Sequence, residues 1–216
     1  MDSQKIWKQA KVIPSSVTVN YLLFKYAKPH SKIVDIGCGQ GRLAIALGLL
    51  GYSVTGIDIN PNAISKATAT VEQIGLSHVN FIQADARNID ITDSYDLAIM
   101  NAFLTTVIPE TNRKKAVQSA YKLLKSGGYL YIADFLQNWD IPLYRERYED
   151  GVKNNLETGT FYVRDDTGTI LYPAHHFTTE EILSLIDGFK LIDFSIEKLT
   201  TRSGNLINGF VLIARK

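Results

Sequence analysis

Short, almost unbroken apolar runs alternate along the chain with segments whose apolar residues recur at helical spacing. Ile33, Val34 and Ile36 form the first run, which suits a strand buried on both faces of a parallel sheet. Gly37, Gly39 and Gly41 follow at alternate positions, and Leu43, Ala46, Leu47 and Leu50 then recur as one helical face. The rhythm repeats. Residues 53 to 58 read as a second strand, Asn60-Pro61 as a capped helix start, and residues 61 to 74 as a helix stopped by Gly75. Residues 79 to 85 and 95 to 101 read as the third and fourth strands. Ala116, Val117, Ala120, Leu123 and Leu124 give residues 110 to 125 a helical face that Ser126-Gly127-Gly128 ends. A fifth strand is expected over residues 129 to 135.

Both ends and one middle segment depart from this pattern. Residues 3 to 28 read as two short helices divided at Pro14, the second capped by Ser15 or Ser16. Residues 136 to 177 break the strand-helix rhythm. Residues 142 to 156 suit a charged, tyrosine-containing helix ending near Gly159. Thr160-Phe161-Tyr162-Val163-Arg164 and Thr169-Ile170-Leu171-Tyr172 flank Asp165-Asp166-Thr167-Gly168, a hairpin signal, and Pro173 leads out of it. Thr178-Thr179-Glu180-Glu181 is a capped helix start. Residues 190 to 199 and 205 to 214 then read as long strands around Thr201-Arg202-Ser203-Gly204. Alternation of this kind predicts an α/β fold with a doubly wound parallel sheet and ligands at the carboxyl ends of its strands.

Composition narrows the class. With 216 residues, 45% hydrophobic and 21% charged, the chain suits one globular domain over 1–216. A net charge of +1 supplies no field for nucleic acid or an anionic membrane. The single cysteine, Cys38, excludes an internal disulfide and a cysteine-based zinc site. The start of the chain lacks the apolar core of a signal peptide, and no run approaches the ~20 apolar residues of a membrane span. A cytoplasmic protein is the simplest expectation; the oligomeric state is left open.

The chemistry concentrates at the strand ends. Without Cβ atoms, the glycine turn lets the backbone approach a ligand beside the positive end of the new helix. A dinucleotide fingerprint requires G-x-G-x-x-G, and Arg42 stands where its last glycine belongs. Asp58 ends the second strand, close to the spacing at which nucleotide-binding α/β folds place a carboxylate for ribose hydroxyls. It also disfavours a 2′-phosphate. Asp85 ends the third strand, so three acids close three successive strands.

The pattern Asp35-x-Gly37-x-Gly39-x-Gly41 resembles the first motif of the class I S-adenosylmethionine-dependent methyltransferases. Asp58 and Asp85 follow in order, and Leu123-Leu124-Lys125-Ser126-Gly127-Gly128-Tyr129-Leu130 resembles the helix-to-strand passage before that family's fifth strand. The resemblance implies a Rossmann-like, doubly wound, seven-stranded, mostly parallel sheet with a C-terminal antiparallel hairpin. It implies S-adenosyl-L-methionine as cofactor, held by Asp35, Gly37, Gly39, Gly41, Asp58, Ile59, Asp85, Ala86 and Asn101. In that assignment Asp58 takes the ribose, Ile59 packs on adenine, Asp85 and the Ala86 N–H meet the adenine edge, and Asn101 faces the methionine end. It further implies a helical lid over 1–30, with Trp7 and Tyr21 as candidates, and a substrate-side insert over 136–177.

Methyl transfer from a sulfonium needs alignment and water exclusion more than an elaborate catalytic apparatus. The candidates for a general base are His175 and His176, of which one should face the site because neighbours on an extended segment point opposite ways. Tyr144, Arg145, Tyr162, Arg164 and Tyr172 are candidate substrate residues, and Asp134 a candidate orienting acid. The competing role of the first five is a solvated or hairpin-pairing side chain, that of Asp134 is to bond nearby backbone, and that of Trp7 and Tyr21 is core packing. No metal is expected, since Asp134 is followed by Phe135 and not by the asparagine of the catechol-type enzymes. Asn101-Ala102-Phe103-Leu104 lacks the prolines of enzymes that methylate nucleic-acid amino groups. A small-molecule acceptor methylated on O, N or C is therefore expected, ahead of protein or RNA methylation. A non-catalytic S-adenosylmethionine-binding protein and an NAD-linked dehydrogenase stand further back.

Overall fold

Alternate residues of the central strands enter two separate apolar clusters, one on each face of the sheet. The computed structural model describes residues 3–10, 19–92, 94–201 and 204–216. Two short helices, α1 (Ser3–Gln9) and α2 (Leu22–Tyr26), precede β1 (Lys32–Ile36). In β1, Ile33 joins one cluster, and Val34 and Ile36 the other. Then come α3 (Arg42–Leu49), β2 (Ser53–Asp58), α4 (Pro61–Gln73), β3 (Val79–Gln83) and β4 (Tyr95–Asn101). In β4, Leu97 and Ile99 face α3, while Ala98 and Met100 face the opposite layer. That opposite layer is α5 (Glu110–Leu123), which leads into β5 (Leu124–Phe135), together with a later helix, α7 (Thr179–Leu185). Period-two burial on both faces is what a doubly covered sheet requires, and it accounts for the continuous apolar runs.

Between β5 and α7 lie α6 (Pro142–Lys153), β6 (Thr160–Arg164) and β7 (Ile170–His175); β8 (Lys190–Thr200) and β9 (Leu206–Arg215) follow α7. Seven strands form one sheet in the order β3-β2-β1-β4-β5-β9-β8. The first five pair in parallel, whereas β9 runs antiparallel to both β5 and β8. The strand order reverses between β1 and β4, so their carboxyl ends open the crevice in which such sheets bind ligands. The expected fold class is the observed one.

Local signals explain the helix starts. Asn60 accepts the Ala63 N–H at 3.0 Å and Pro61 opens the first turn of α4. Thr178 and Glu181 bond reciprocally across the start of α7 in a capping box. Three boundaries differ from the pattern-based reading. The helix α5 ends at Leu123, and β5 begins at once, pairing Leu124 with Tyr95. Gly127, at φ +78°, therefore lies in an irregular strand start and not in a helix cap. β7 runs through Pro173 to His175, because a two-stranded sheet leaves an edge on which a proline costs no ladder bond. α6 stops at Lys153, short of the expected Leu156. The division at Pro14 and the Ser15 or Ser16 cap lie outside the described residues, as do Arg202 and Ser203 of the last turn.

The segment between β5 and α7 docks through backbone and side-chain bonds. Phe177 N–H donates to Phe135 at 2.9 Å, and Gln137 N–H donates to Phe177 at 2.8 Å. Asn138 is fully buried; its Oδ1 accepts the Asn208 N–H at 2.8 Å and its Nδ2 donates to Asn208 at 3.1 Å. Tyr144, Tyr148, Phe161 and Ala174 form a third apolar cluster with Phe135, Leu199 and Ile207. Helix α6 and the β6–β7 hairpin are thereby fixed above the carboxyl end of β5. Among the described residues no helix is long and apolar enough to cross a membrane.

Candidate active site

The glycine turn after β1 is closed on itself. Gly37, Gly39 and Gly41 have φ of +80°, +55° and +75°, values that non-glycine residues rarely adopt. Gly37 and Cys38 donate their N–H groups to the Ile57 carbonyl at 2.8 and 3.0 Å, and Gly41 donates to Cys38 at 3.0 Å. Gly39 N–H goes to Asp58 Oδ2 at 2.9 Å. These four amides are spent inside the protein, so they form no phosphate cradle. A Cβ on Gly37 would overlap the Phe103 ring, so its absence is also a packing requirement.

Asp58 joins two loops. Its Oδ2 holds Gly39, and its Oδ1 accepts the Asn60 N–H at 2.8 Å. Burial pushes its carboxyl above the ordinary value, against the pull of the Asn60, Gly39 and Ile59 amides. Asp35 sits deeper, at 3% exposure, and its Oδ2 has no hydrogen-bond partner among the described residues. Burial first and the nearby Asp58 charge second push Asp35 up to about 7; the Ala44 amide in the first turn of α3 pulls the other way. An orphaned buried carboxylate oxygen beneath a glycine turn suits a cationic group such as an ammonium.

A cavity of ≈ 330 Å³ opens over the strand ends, a volume of small-ligand size. Gly37, Asp58, Ile59, Ala84, Ala86 and Phe103 line its sheet side. Trp7 and Gln4 of α1 line another wall. The Trp7 ring packs on Tyr172 at 4.7 Å between centroids, and its Nε1 donates to Thr106 at 3.3 Å. From the segment between β5 and α7 come Tyr144, Arg147, Phe161, Arg164, Tyr172 and His176.

The expected site residues divide on placement. Gly37, Asp58, Ile59 and Ala86 line the cavity; Asp35, Gly39 and Gly41 do not, although they belong to the same strand and turn as Gly37, and Asn101 ends β4 beside the lining residue Ala102. Asp85 is bent onto Arg87, whose Nε lies 3.0 Å from both carboxylate oxygens and whose amide adds a bond of 2.9 Å. Burial alone would raise Asp85, but the Arg87 contacts outweigh it and hold the carboxyl low. Its flanking residues Ala84 and Ala86, not its own side chain, form the wall. Tyr144, Arg164 and Tyr172 line the cavity as expected of substrate residues, whereas Tyr162 and Arg145 do not. Tyr162 carries the Arg164 guanidinium over its ring at 6.0 Å without itself joining the lining residues, and Arg145 Nε donates to Trp139 at 2.9 Å. Tyr21 is 72% exposed and away from the cavity, so of the two lid candidates Trp7 is the one that lines it.

The two histidines separate as neighbours on a strand should. His175 is fully buried outside the cavity, with Nδ1 2.7 Å from Thr160 Oγ1 and Nε2 3.5 Å from Glu181 Oε1. Burial lowers its pKa, although Glu181 pulls upward. It lies between Thr160 and Glu181 and is not among the lining residues, whereas a base would need to face the cavity. His176 lines the cavity, with Nδ1 2.7 Å from the Tyr148 hydroxyl. Burial, followed by the fields of His175 and Arg147, lowers it to about 3, so its ring is neutral. Asp134 is buried outside the cavity and accepts the Thr105 and Phe135 N–H groups at 2.9 and 3.0 Å. Its role is to fix the loop after β4.

Arg147 is a lining residue that the sequence pattern did not single out, while Phe103, a candidate wall for the cofactor, lines the cavity against Gly37. Arg147 stands on the helical face of Tyr144, Tyr148 and Gly151, a spacing that marked it as facing the same neighbours.

A methyltransferase-domain family model matches residues 27–185. The chain belongs to the class I S-adenosylmethionine-dependent methyltransferases. A solved S-adenosylmethionine-dependent methyltransferase from Methanosarcina mazei is 38% identical, covers 92% of this chain and 98% of its own, and superposes with a TM-score of 0.87. The ribosomal protein L11 methyltransferase of Geobacillus thermodenitrificans is 30% identical over 153 residues, 70% of this chain and 44% of that protein. The N-methyltransferase NodS of Bradyrhizobium japonicum, solved with S-adenosylhomocysteine, shares the fold at 16% identity and a TM-score of 0.60, over 86% of this chain and 78% of its own. The chain spans less than half the length of the first curated relatives it matches. The cofactor of this family is S-adenosylmethionine, and the orphaned Asp35 oxygen, the closed glycine turn and the Asp58 carboxylate fit it.

Proposed function

We propose that this chain methylates a small-molecule acceptor bound in the outer half of the cavity, with S-adenosylmethionine against the strand ends. The observation that carries this reading is the continuity of one small cavity from Gly37 and Asp58 to Tyr144, Phe161 and Tyr172 under Trp7. A site walled by aromatic rings and roofed by a tryptophan suits a compact acceptor better than a protein loop.

When bound, the cofactor supplies a sulfonium methyl group: the acceptor's lone pair takes the methyl carbon while the carbon–sulfur electron pair passes to sulfur, leaving S-adenosylhomocysteine. In this reading Asp35 Oδ2 takes the methionine ammonium and Asp58 accepts from the ribose hydroxyls. Ile59, Ala84 and Ala86 flank the adenine. Asn101 and the Phe103 ring border the methionine end. Trp7 and Tyr172 exclude water, which preserves the alignment on which methyl transfer depends. The residues of the N-terminal helix thus act as a lid, and those between β5 and α7 as the acceptor wall.

Transfer of radiolabelled methyl from S-adenosylmethionine, screened against small hydroxylated, amino and carboxylated compounds and against ribosomal protein and RNA, tests this. Label in a small-molecule fraction, lost in Trp7→Ala, is expected. Label only in protein or RNA would overturn the small-molecule reading.

A further inference from the structure

The outer half of the cavity is cationic. Arg147 and Arg164 line it, while Asp58, at the far end by the glycine turn, is the one carboxylate among the described lining residues. Arg164 is partly engaged: its Nη1 donates to Gly168 at 3.0 Å, and Asp150 lies 4.0 Å from its Nη2. Arg147 is different. Among the described residues no carboxylate lies within ion-pair distance of it, and its guanidinium rests over the rings of Tyr144 and Phe161 at 5.3 and 5.5 Å. Stacking of this kind fixes a guanidinium while leaving its donors open.

His176 packs on the same two rings, at 5.2 Å from Tyr144 and 4.9 Å from Phe161. Its tautomer follows from its partner. The Tyr148 hydroxyl accepts the Asn138 N–H at 3.1 Å, and the acceptor in reach of its own proton is His176 Nδ1 at 2.7 Å. A neutral imidazole that accepts at Nδ1 carries its proton on Nε2. His176 therefore offers the cavity a donor and no basic lone pair. A stacked guanidinium and a fixed N–H donor on one aromatic floor, with no acid beside them, make a site for an anionic oxygen group.

We infer that the methyl acceptor carries a carboxylate or phosphate group, held by Arg147 with His176 Nε2–H as a second donor. Flat hydrocarbon attached to that group packs on Tyr144 and Phe161. This deepens the small-molecule reading and rests on it. Arg147 and His176 are then the residues that select the acceptor, and His176 is a binding donor in place of the expected base.

The probes are benzoate, phenyl phosphate, benzamide and benzyl alcohol, titrated by calorimetry into the full chain saturated with S-adenosylhomocysteine. Saturation itself reports on the cofactor reading, so the two fail separately. One or both anions are expected to bind at least tenfold more tightly than the neutral pair, and their order separates carboxylate from phosphate. Arg147→Gln should remove that preference and keep S-adenosylhomocysteine affinity within twofold; Arg147→Lys should restore part of it. In wild-type protein labelled with ¹⁵N-histidine, long-range ¹H–¹⁵N spectra should show His176 protonated at Nε2, with that signal shifting on addition of the anion. Equal binding of benzoate and benzamide, no binding by either anion, an Nδ1–H tautomer, or an unchanged preference in Arg147→Gln would overturn the inference.

Discussion

The side-chain amide of Asn60 donates to the carbonyl of Trp7 at 2.8 Å, and to that of Ala10 at the same distance. One residue therefore ties α1 to the loop that carries Asp58, whose Oδ1 holds the Asn60 backbone amide. Asn60 is also the cap of α4 through its Oδ1. The position of α1, the α4 cap and the Asp58 carboxylate are thus linked across two residues of sequence.

Asn60→Asp separates these roles, because aspartate still caps α4 but cannot donate to two carbonyls. The variant should fold, while amide hydrogen exchange over residues 3 to 10 rises and acceptor KM increases. Exchange unchanged from wild type would show that α1 is held by other contacts, such as Ser3 with Ile108 and Trp7 with Thr106.

Gly37→Ala adds a methyl group where φ is +80° and where the Phe103 ring already stands. Backbone strain and overlap together should cost roughly 1–3 kcal/mol of stability, measured by urea unfolding. Adding Phe103→Ala to this variant relieves the overlap and leaves the strain, so only part of the loss should return. Full recovery would place the whole requirement in packing.

The buried acids carry a pH signature. Burial pushes Asp134 from 3.8 up to about 7 in the folded protein. Between those values the folded state keeps a proton that the unfolded chain releases. The contribution is therefore full below the unfolded value and is lost as pH rises through about 7. His176, lowered from 6.5 to about 3, acts oppositely: its contribution is present above 6.5 and is lost as pH falls toward 3. Because the two trends oppose each other in wild type, the difference against Asp134→Asn isolates the acid. Asparagine gives up one amide contact at every pH but never ionises, so its stability relative to wild type should improve from pH 5 to pH 8. A difference independent of pH would remove Asp134 as the titrating group.

The parts legible in the sequence are those fixed by local rules. The glycine turn, the strand-closing acids, the Asn60-Pro61 start and the Thr178 to Glu181 capping box each depend on neighbours a few residues apart. Features set by distant packing were not legible. That β5 begins at Leu124 depends on pairing with Tyr95, and that Pro173 sits in a strand depends on the hairpin leaving an edge. The alternation of His175 and His176 followed from strand geometry, but which one faces the cavity was decided by Thr160, Tyr148 and Glu181. The Asp85 carboxylate could not be seen to turn onto Arg87, since a pair two residues apart forms only in a particular loop shape.

The most direct measurement is calorimetric titration of the purified chain and of Asp58→Ala with S-adenosylmethionine, S-adenosylhomocysteine and NAD. Wild type should bind the first two at one site and leave NAD unbound, because the turn amides that would meet a pyrophosphate are already spent. Asp58→Ala should lose at least tenfold in affinity, about 1.4 kcal/mol, through the ribose contacts and the Gly39 tie together. Binding of NAD in place of S-adenosylmethionine, or undiminished affinity in Asp58→Ala, would contradict the site described here.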